Sequence, residues 1–155
     1  MKNIWAPWRI DYILSPKSDT CVLCKAPGDG DGLIITRGEQ CFAIMNRFPY
    51  TTGHSMVAPY RHVSDIEALT KEELSEMMSL VQAIVSATRK AMNTEGFNIG
   101  CNLGDVAGAG IADHLHMHIV PRWKGDTNFM PVLGDVHVIS DHIVKTMNMI
   151  KGKLP

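Results

Sequence analysis

The sequence predicts an α+β fold: a mainly antiparallel sheet carrying two principal helices. Three observations predict it. Short apolar runs flanked by turn residues recur at 33–36, 41–45 and 55–59 with only short connections between them, which suits antiparallel pairing. One long segment, 70–93, repeats apolar residues at helical spacing. Two further strand-like runs, 97–102 and 114–120, follow it and are separated by a glycine-rich loop.

In chain order, residues 1–20 read as irregular, with Pro7, Pro16 and the tryptophans Trp5 and Trp8. Cys21 and Cys24 form a tight C-x-x-C knuckle, and Gly28-Asp29-Gly30-Asp31-Gly32 is a turn by composition. The first two strands flank a turn at Arg37-Gly38-Glu39, and the third follows a turn at Gly53. Thr70-Lys71-Glu72-Glu73 fits a capping box, so the long helix should start there. Behind it, Leu74, Met77, Met78, Val81, Ile84, Val85, Thr88 and Met92 form a stripe expected to pack on the sheet, its methionines acting as core filler. The strand at 114–120 should stop at Pro121, which has no N–H for a ladder. A last helix is expected from Ser140 or Asp141 to about Lys151. No repeat or long linker divides the chain, so residues 1–155 should form one domain.

The composition is ordinary for a globular protein, with 45% hydrophobic and 20% charged residues. A net charge of -1 argues against a nucleic-acid polymer as partner, yet leaves room for a small anion at a local site. The first residues lack an apolar leader, and no run approaches the roughly 18 apolar residues of a membrane span. A cytoplasmic protein with no membrane partner is therefore expected. In a reducing compartment the four cysteines are better read as thiols or metal ligands than as disulfides. The Cys21–Cys24 spacing suits a metal, a redox pair or two buried thiols, but no βαβ pattern supports the redox reading. Cys41 and Cys101 have no partner by spacing and are expected in the core.

Chemistry concentrates in His114-Leu115-His116-Met117-His118-Ile119. Alternate residues of a strand share a face. The three histidines should therefore line one side, with Leu115, Met117 and Ile119 covering the core on the other. Three aligned histidines after a glycine-rich loop mark a site more than a solvated face. Two arrangements compete: a metal held by histidines two apart, or a nucleophilic histidine whose neighbours place phosphate oxygens. The loop Gly104-Asp105-Val106-Ala107-Gly108-Ala109-Gly110 favours the second, because three glycines let backbone N–H groups converge on an anion.

The run His114-Leu115-His116-Met117-His118-Ile119-Val120-Pro121-Arg122 resembles the motif of the histidine triad family of nucleotide hydrolases and transferases. Met45-Asn46-Arg47-Phe48-Pro49-Tyr50-Thr51-Thr52-Gly53-His54 and Pro59-Tyr60-Arg61-His62-Val63 resemble it too, in the same order. The likeness runs from about Cys21 to Asn128. The Ile4-Trp5-Ala6-Pro7-Trp8-Arg9 start and the stretch Arg122-Trp123-Lys124-Gly125-Asp126-Thr127-Asn128-Phe129 are similar to the diadenosine tetraphosphate phosphorylase-like branch. The resemblance implies a HIT-like domain paired as a homodimer. It implies His116 as nucleophile, His118 as a holder of phosphate oxygens and Asn46 near the nucleotide sugar. It also implies His62 and His114 as the ligands that complete a zinc site with Cys21 and Cys24. That site would be four-coordinate and structural, and no organic cofactor is expected.

One stretch departs from the family pattern. Many members carry Gly-Gln-(Ser/Thr)-Val before the triad, whereas this chain has Ala109-Gly110-Ile111-Ala112. Two side-chain contacts to phosphate or leaving group are thus missing, and backbone donors at Gly108 and Gly110, or Asn102, are the candidates to replace them. The expected activity is attack at the α-phosphate through a nucleotidyl-histidine, on dinucleoside polyphosphates such as diadenosine tetraphosphate, by phosphorolysis or hydrolysis. Alternatives are hydrolysis of nucleoside phosphoramidates, a nucleotide-binding sensor or adaptor with little activity, and a hydrolase with catalytic metal on His114 and His116. His54 reads as a hydrogen-bonding structural residue, and His137 and His142 as surface residues. Trp5, Trp8 and Trp123 could cover a nucleotide, pin a segment or meet a second copy. Asp126 and Asn128 could shape substrate choice.

Overall fold

The computed structural model describes residues 21–28, 32–126 and 139–155. The expectations for 1–20 with Trp5 and Trp8, for the centre of the 28–32 turn, and for Asn128 and His137 lie outside these residues.

Five strands form one sheet: β1 (Ile34–Arg37), β2 (Cys41–Met45), β3 (Ser55–Pro59), β4 (Gly96–Gly100) and β5 (Met117–Arg122). Their order is β1-β2-β3-β5-β4, and every neighbouring pair is antiparallel. Helix α1 (Val22–Lys25) is one turn directly after Cys21; α2 (Lys71–Met92) joins β3 to β4; α3 (Ile143–Lys151) follows the sheet. β5 inserts between β3 and β4, so the residues that lead into it reach the middle of the sheet.

The capping box of α2 forms as expected. Thr70 Oγ1 accepts from the Glu73 amide at 3.1 Å, and the Glu73 carboxylate accepts from the Thr70 amide at 2.8 Å. The helix ends at Asn93, whose φ of 49° places it in the left-handed region that asparagine tolerates. Its buried face is Glu73, Met77, Val81, Ile84, Ala87 and Thr88. Met77, Val81 and Ile84 share one core with Val57 on β3 and Ile119 on β5. Leu74 and Met78 are 42% and 43% exposed, so the stripe is narrower than its apolar residues suggested. The buried face starts at Glu73, whose carboxylate is met by Arg61 and Thr70, and this rotates Leu74 and Met78 off the sheet.

Glu76, on the next turn of α2, closes the β1–β2 hairpin. Its carboxylate accepts from the amides of Glu39, Gln40 and Cys41 at 2.8, 2.6 and 2.7 Å. A Cβ on Gly38 would stand 2.6 Å from that carboxylate, so a larger residue there would push the Glu76 side chain off the amides it holds.

Two expectations for β5 need correction. It begins at Met117, not at His114, because the Leu115 amide donates to the Val63 carbonyl at 2.6 Å instead of joining a ladder. It also runs through Pro121, which pairs opposite Phe97. Pairing with β3 has already stopped at Ser55↔Ile119, so the missing N–H breaks nothing on that side. β4 is likewise shifted, to Gly96–Gly100, and α3 starts at Ile143 with the His142 ring accepting from the Val144 amide at 3.3 Å. His142 is therefore a helix cap as well as a surface residue.

Candidate functional site

His114, His116 and His118 do not line one flat face. His114 and His116 lie in the lead-in to β5 and are buried, while His118 is on the strand opposite Met56 and Gly100. The His116 and His118 rings meet edge to face, with centroids 4.8 Å apart. His114 turns the other way, to an edge contact with His62 at 5.2 Å. The run thus splits, with His114 turned toward His62 and the cysteines and the His116 and His118 rings facing each other.

Backbone groups set the ring protons. His116 Nδ1 lies 2.8 Å from the His114 carbonyl, which can only accept, so Nδ1 carries the proton and Nε2 keeps a free lone pair. His114 Nε2 lies 2.9 Å from the Pro59 carbonyl, so its proton is on Nε2 and its lone pair on Nδ1. Burial pulls the His114 pKa below the ordinary histidine value, against the opposing Pro59 bond.

The Nδ1 lone pair of His114 points into a cluster of four donors. Cys21 Sγ lies 3.3 Å from His114 Nδ1, and Cys24 Sγ lies 3.4 Å from His114 Nδ1 and 3.3 Å from His62 Nδ1. All four ligand atoms fall within 4.8 Å of one another. Zinc–sulfur and zinc–nitrogen bonds of about 2.3 and 2.0 Å give tetrahedral S···N edges of about 3.5 Å, so the donor set fits a four-coordinate zinc. His62 comes from the loop after β3, where Arg61 grips Glu73 through Nε at 2.9 Å and Nη2 at 2.6 Å. His116 is not part of this cluster, and both ring nitrogens of His114 are engaged away from it, Nδ1 toward the cysteines and Nε2 on the Pro59 carbonyl, which disfavours a shared catalytic metal on His114 and His116.

A fourth histidine joins the pair. His54 is fully buried, and its Nε2 lies 2.9 Å from His118 Nδ1. Its Nδ1 accepts from the Tyr50 amide at 3.0 Å. The Tyr50 ring sits 4.6 Å from that of His54 and 5.9 Å from that of His118. Burial, then the neighbouring His118 and His116, push the His54 pKa down to about 3. Burial, then His116, push that of His118 down to about 4. The sequence alone points to a hydrogen-bonding structural role for His54; the structure also sets its ring against that of His118.

The remaining expected site residues are placed as follows. Asn46 Oδ1 accepts from the Phe48 amide at 2.9 Å and its amide nitrogen lies against the His54 ring at 3.4 Å. Asn102 donates to the Gly108 carbonyl at 3.3 Å and ties down the loop. In that loop the amides of Ala107, Gly108 and Ala109 are used internally. Those of Gly110, Ile111 and Ala112 meet no acceptor among the described residues, so the free donors lie later than the glycine spacing suggested. Gly108, with φ 85°, allows the turn that presents them. A Cβ on Gly100, opposite His118, would meet nothing within 4 Å, so there is open space beside the ring. Trp123 donates to the Met92 carbonyl at 3.1 Å, which pins it to the end of α2. Asp126 is held by Arg122 and by the Trp123 amide, which makes it a turn residue.

Residues 29–125 match the HIT domain family. The chain is 36% identical over 161 residues to a Mycobacterium tuberculosis protein named AP-4-A phosphorylase, covering 97% of this chain and 83% of that one. It is 36% identical over 88 residues to the Dictyostelium discoideum bis(5'-adenosyl)-triphosphatase, covering 57% and 58% of the two chains. Among solved structures, a zinc-bound histidine triad family protein from Mycobacterium smegmatis superposes with a TM-score of 0.72 at 26% identity, over 86% of this chain and 92% of that one.

Proposed function

The chain belongs to the histidine triad family, and from that premise we propose that it is a nucleotide hydrolase or transferase that attacks the α-phosphate of a dinucleoside polyphosphate, such as diadenosine tetraphosphate, with His116. One observation carries the reading. The His116 Nδ1–H is bound to the His114 carbonyl, which leaves Nε2 as an unprotonated nucleophile in a buried site. In the first step the Nε2–P bond forms, the P–O bond to the polyphosphate breaks, and the leaving nucleotide carries away the oxygen. In the second, water or phosphate attacks phosphorus from the opposite side, the N–P bond breaks and the imidazole is regenerated. His118 and the amides of Gly110 to Ala112 are the groups proposed to meet charge on the non-bridging oxygens, with Asn46 near the sugar. The names of the mycobacterial and Dictyostelium relatives support the substrate class.

Cys21, Cys24, His62 and His114 would hold a structural zinc. When bound, it would supply a closed tetrahedral link between the N-terminal knuckle and the segment that carries the triad. No organic cofactor is proposed. Residues 1–155 are proposed as one HIT-like domain in the cytoplasm; no helix among the described residues is long and apolar enough to cross a membrane. A homodimer is proposed too, supported by β4, a sheet-edge strand that leaves Ile99 46% exposed. Product analysis with diadenosine tetraphosphate tests the activity. ADP plus ATP in the presence of phosphate indicates phosphorolysis, and AMP plus ATP indicates hydrolysis. Preference for a nucleoside phosphoramidate, or tight nucleotide binding with negligible turnover across both substrates, would replace this reading with one of the alternatives.

A further inference from the structure

We propose that His54 is a positioning residue that fixes the tautomer of His118, so that His118 turns an Nε2–H, and not a lone pair, toward the substrate phosphate. The proposal rests on reading the site as a phosphoryl-transfer centre. It begins at a group whose polarity cannot reverse. The Tyr50 backbone amide donates to His54 Nδ1 at 3.0 Å, so that nitrogen is the acceptor and the proton of neutral His54 is on Nε2. His54 Nε2 faces His118 Nδ1 at 2.9 Å, so His118 Nδ1 must accept in turn. The His118 proton is thereby confined to Nε2, which meets no acceptor among the described residues. The opposite tautomer would bring two N–H groups face to face and strand a donor beside a fully buried ring.

The consequence is a division of labour between two histidines two residues apart. His116 is bound through Nδ1–H to a carbonyl and offers a lone pair. His118 is bound through its Nδ1 lone pair to His54 and offers a proton. Identical side chains on one short segment thus become nucleophile and hydrogen-bond donor, because one ends on a backbone C=O and the other, through His54, on a backbone N–H. Burial keeps His54 and His118 neutral near pH 7, so the relay of neutral rings persists where the enzyme would work. The absence of Gln and Ser/Thr side chains at Gly110 and Ile111 leaves this N–H with more of the phosphate to hold.

Long-range proton–nitrogen NMR of the 15N-labelled full chain reads imidazole tautomers directly. The wild-type protein should show His118 as Nε2–H and His116 as Nδ1–H. In His54→Leu, His118 should become a mixture of tautomers, and turnover of diadenosine tetraphosphate should fall on the order of tenfold, with nucleotide affinity little changed. His54→Gln, whose amide NH2 can stand near the position of the lost Nε2–H, should restore both the tautomer and most of the turnover. Nδ1–H on wild-type His118, which needs no variant to fold, would overturn the proposal, as would an unshifted His118 tautomer in His54→Leu. The expected tautomers in a protein that turns over no nucleotide would uphold the role of His54 and overturn the phosphoryl-transfer reading instead.

Discussion

The His114 carbonyl accepts the Nδ1–H of His116 at 2.8 Å while the His114 ring, in the same residue, faces Cys21 and Cys24. One residue therefore serves two groupings: its side chain joins the four-donor cluster, and its backbone sets the tautomer of His116. A change that shifts His114 out of the cluster is expected to disturb the carbonyl that sets the His116 tautomer.

Metal content is the first consequence. Purified protein should contain about one zinc per chain. Cys24→Ala should lose it, lower the urea midpoint and reduce turnover, with restoration of neither by added nucleotide. A metal-free wild-type protein of unchanged stability would end the structural-zinc reading, and fast loss of activity on chelation before any loss of fold would favour a catalytic metal.

The proposed nucleophile makes a covalent prediction. Brief mixing with labelled substrate and an alkaline quench should trap label on the protein, since a phosphorus–nitrogen bond on histidine survives alkali and not acid. His116→Asn should abolish label and turnover with nucleotide binding nearly intact. His118→Asn should slow the reaction, with a loss of about 3 kcal/mol of transition-state stabilisation as the scale for one phosphate donor, and still keep the label. Two in-line displacements retain configuration at a chiral α-phosphorus; inversion would overturn the assignment.

The glycine-rich loop separates folding from binding. A Cβ on Gly110 meets nothing within 4 Å and its φ is not positive, so Gly110→Val should fold with near wild-type stability yet lose turnover as phosphate approaches the backbone. Gly108→Val is different, because φ is 85° there, and it should cost about 1 kcal/mol or more before any ligand is present. Kinetics and denaturation of the two proteins check both halves, and wild-type kinetics in Gly110→Val would remove the loop from the site.

The buried histidines predict acid sensitivity with a definite sign. His54 and His118 have folded pKa values of about 3 and about 4, below the unfolded value of 6.5. Between those limits the unfolded chain binds more protons, so stability rises with pH. It is complete above about 6.5 and is lost as pH falls toward 4, by on the order of 1 kcal/mol per pH unit for each ring. His54→Gln removes one of the two and should flatten the slope of urea stability between pH 5 and 6.5. Equal slopes in the two proteins would show that His54 does not stay neutral in the fold.

Arg61 braces the loop that carries His62. It pairs with the buried Glu73 carboxylate through two nitrogens. Arg61→Ala should lower stability, by less than the loss of a fully buried pair because the Arg61 side chain is 47% exposed. Zinc affinity should fall with it, since His62 is the next residue. Unchanged zinc affinity at lower stability would confine Arg61 to the helix cap.

Much of this was legible in the chain because it is local. The capping box at Thr70 and Glu73, the β3 boundaries and the turn at Gly38 each depend on a few neighbouring residues and appear where sequence placed them. The ends of β5 were misread because pairing partners decide them. Leu115 bonds Val63 instead of extending the ladder, and Pro121 is tolerated because β3 has already ended. The exposure of Leu74 and Met78 escaped for the same reason, as it depends on where Glu73 meets Arg61.

By itself the sequence determined which residues are the candidates for chemistry: the Cys21–Cys24 knuckle, the three histidines at alternate positions and the loop before them. Residue type and spacing suffice for that, because they limit what a side chain can donate, accept or ligate. Only the tertiary structure decided what each histidine can offer, since the imidazole is chemically ambiguous until something binds one of its two nitrogens. The Pro59 carbonyl leaves His114 its lone pair on Nδ1, beside Cys21 and Cys24, and the His114 carbonyl leaves His116 its lone pair on Nε2. The Tyr50 amide, 68 residues away from His118 in the chain and acting through His54, makes His118 a donor.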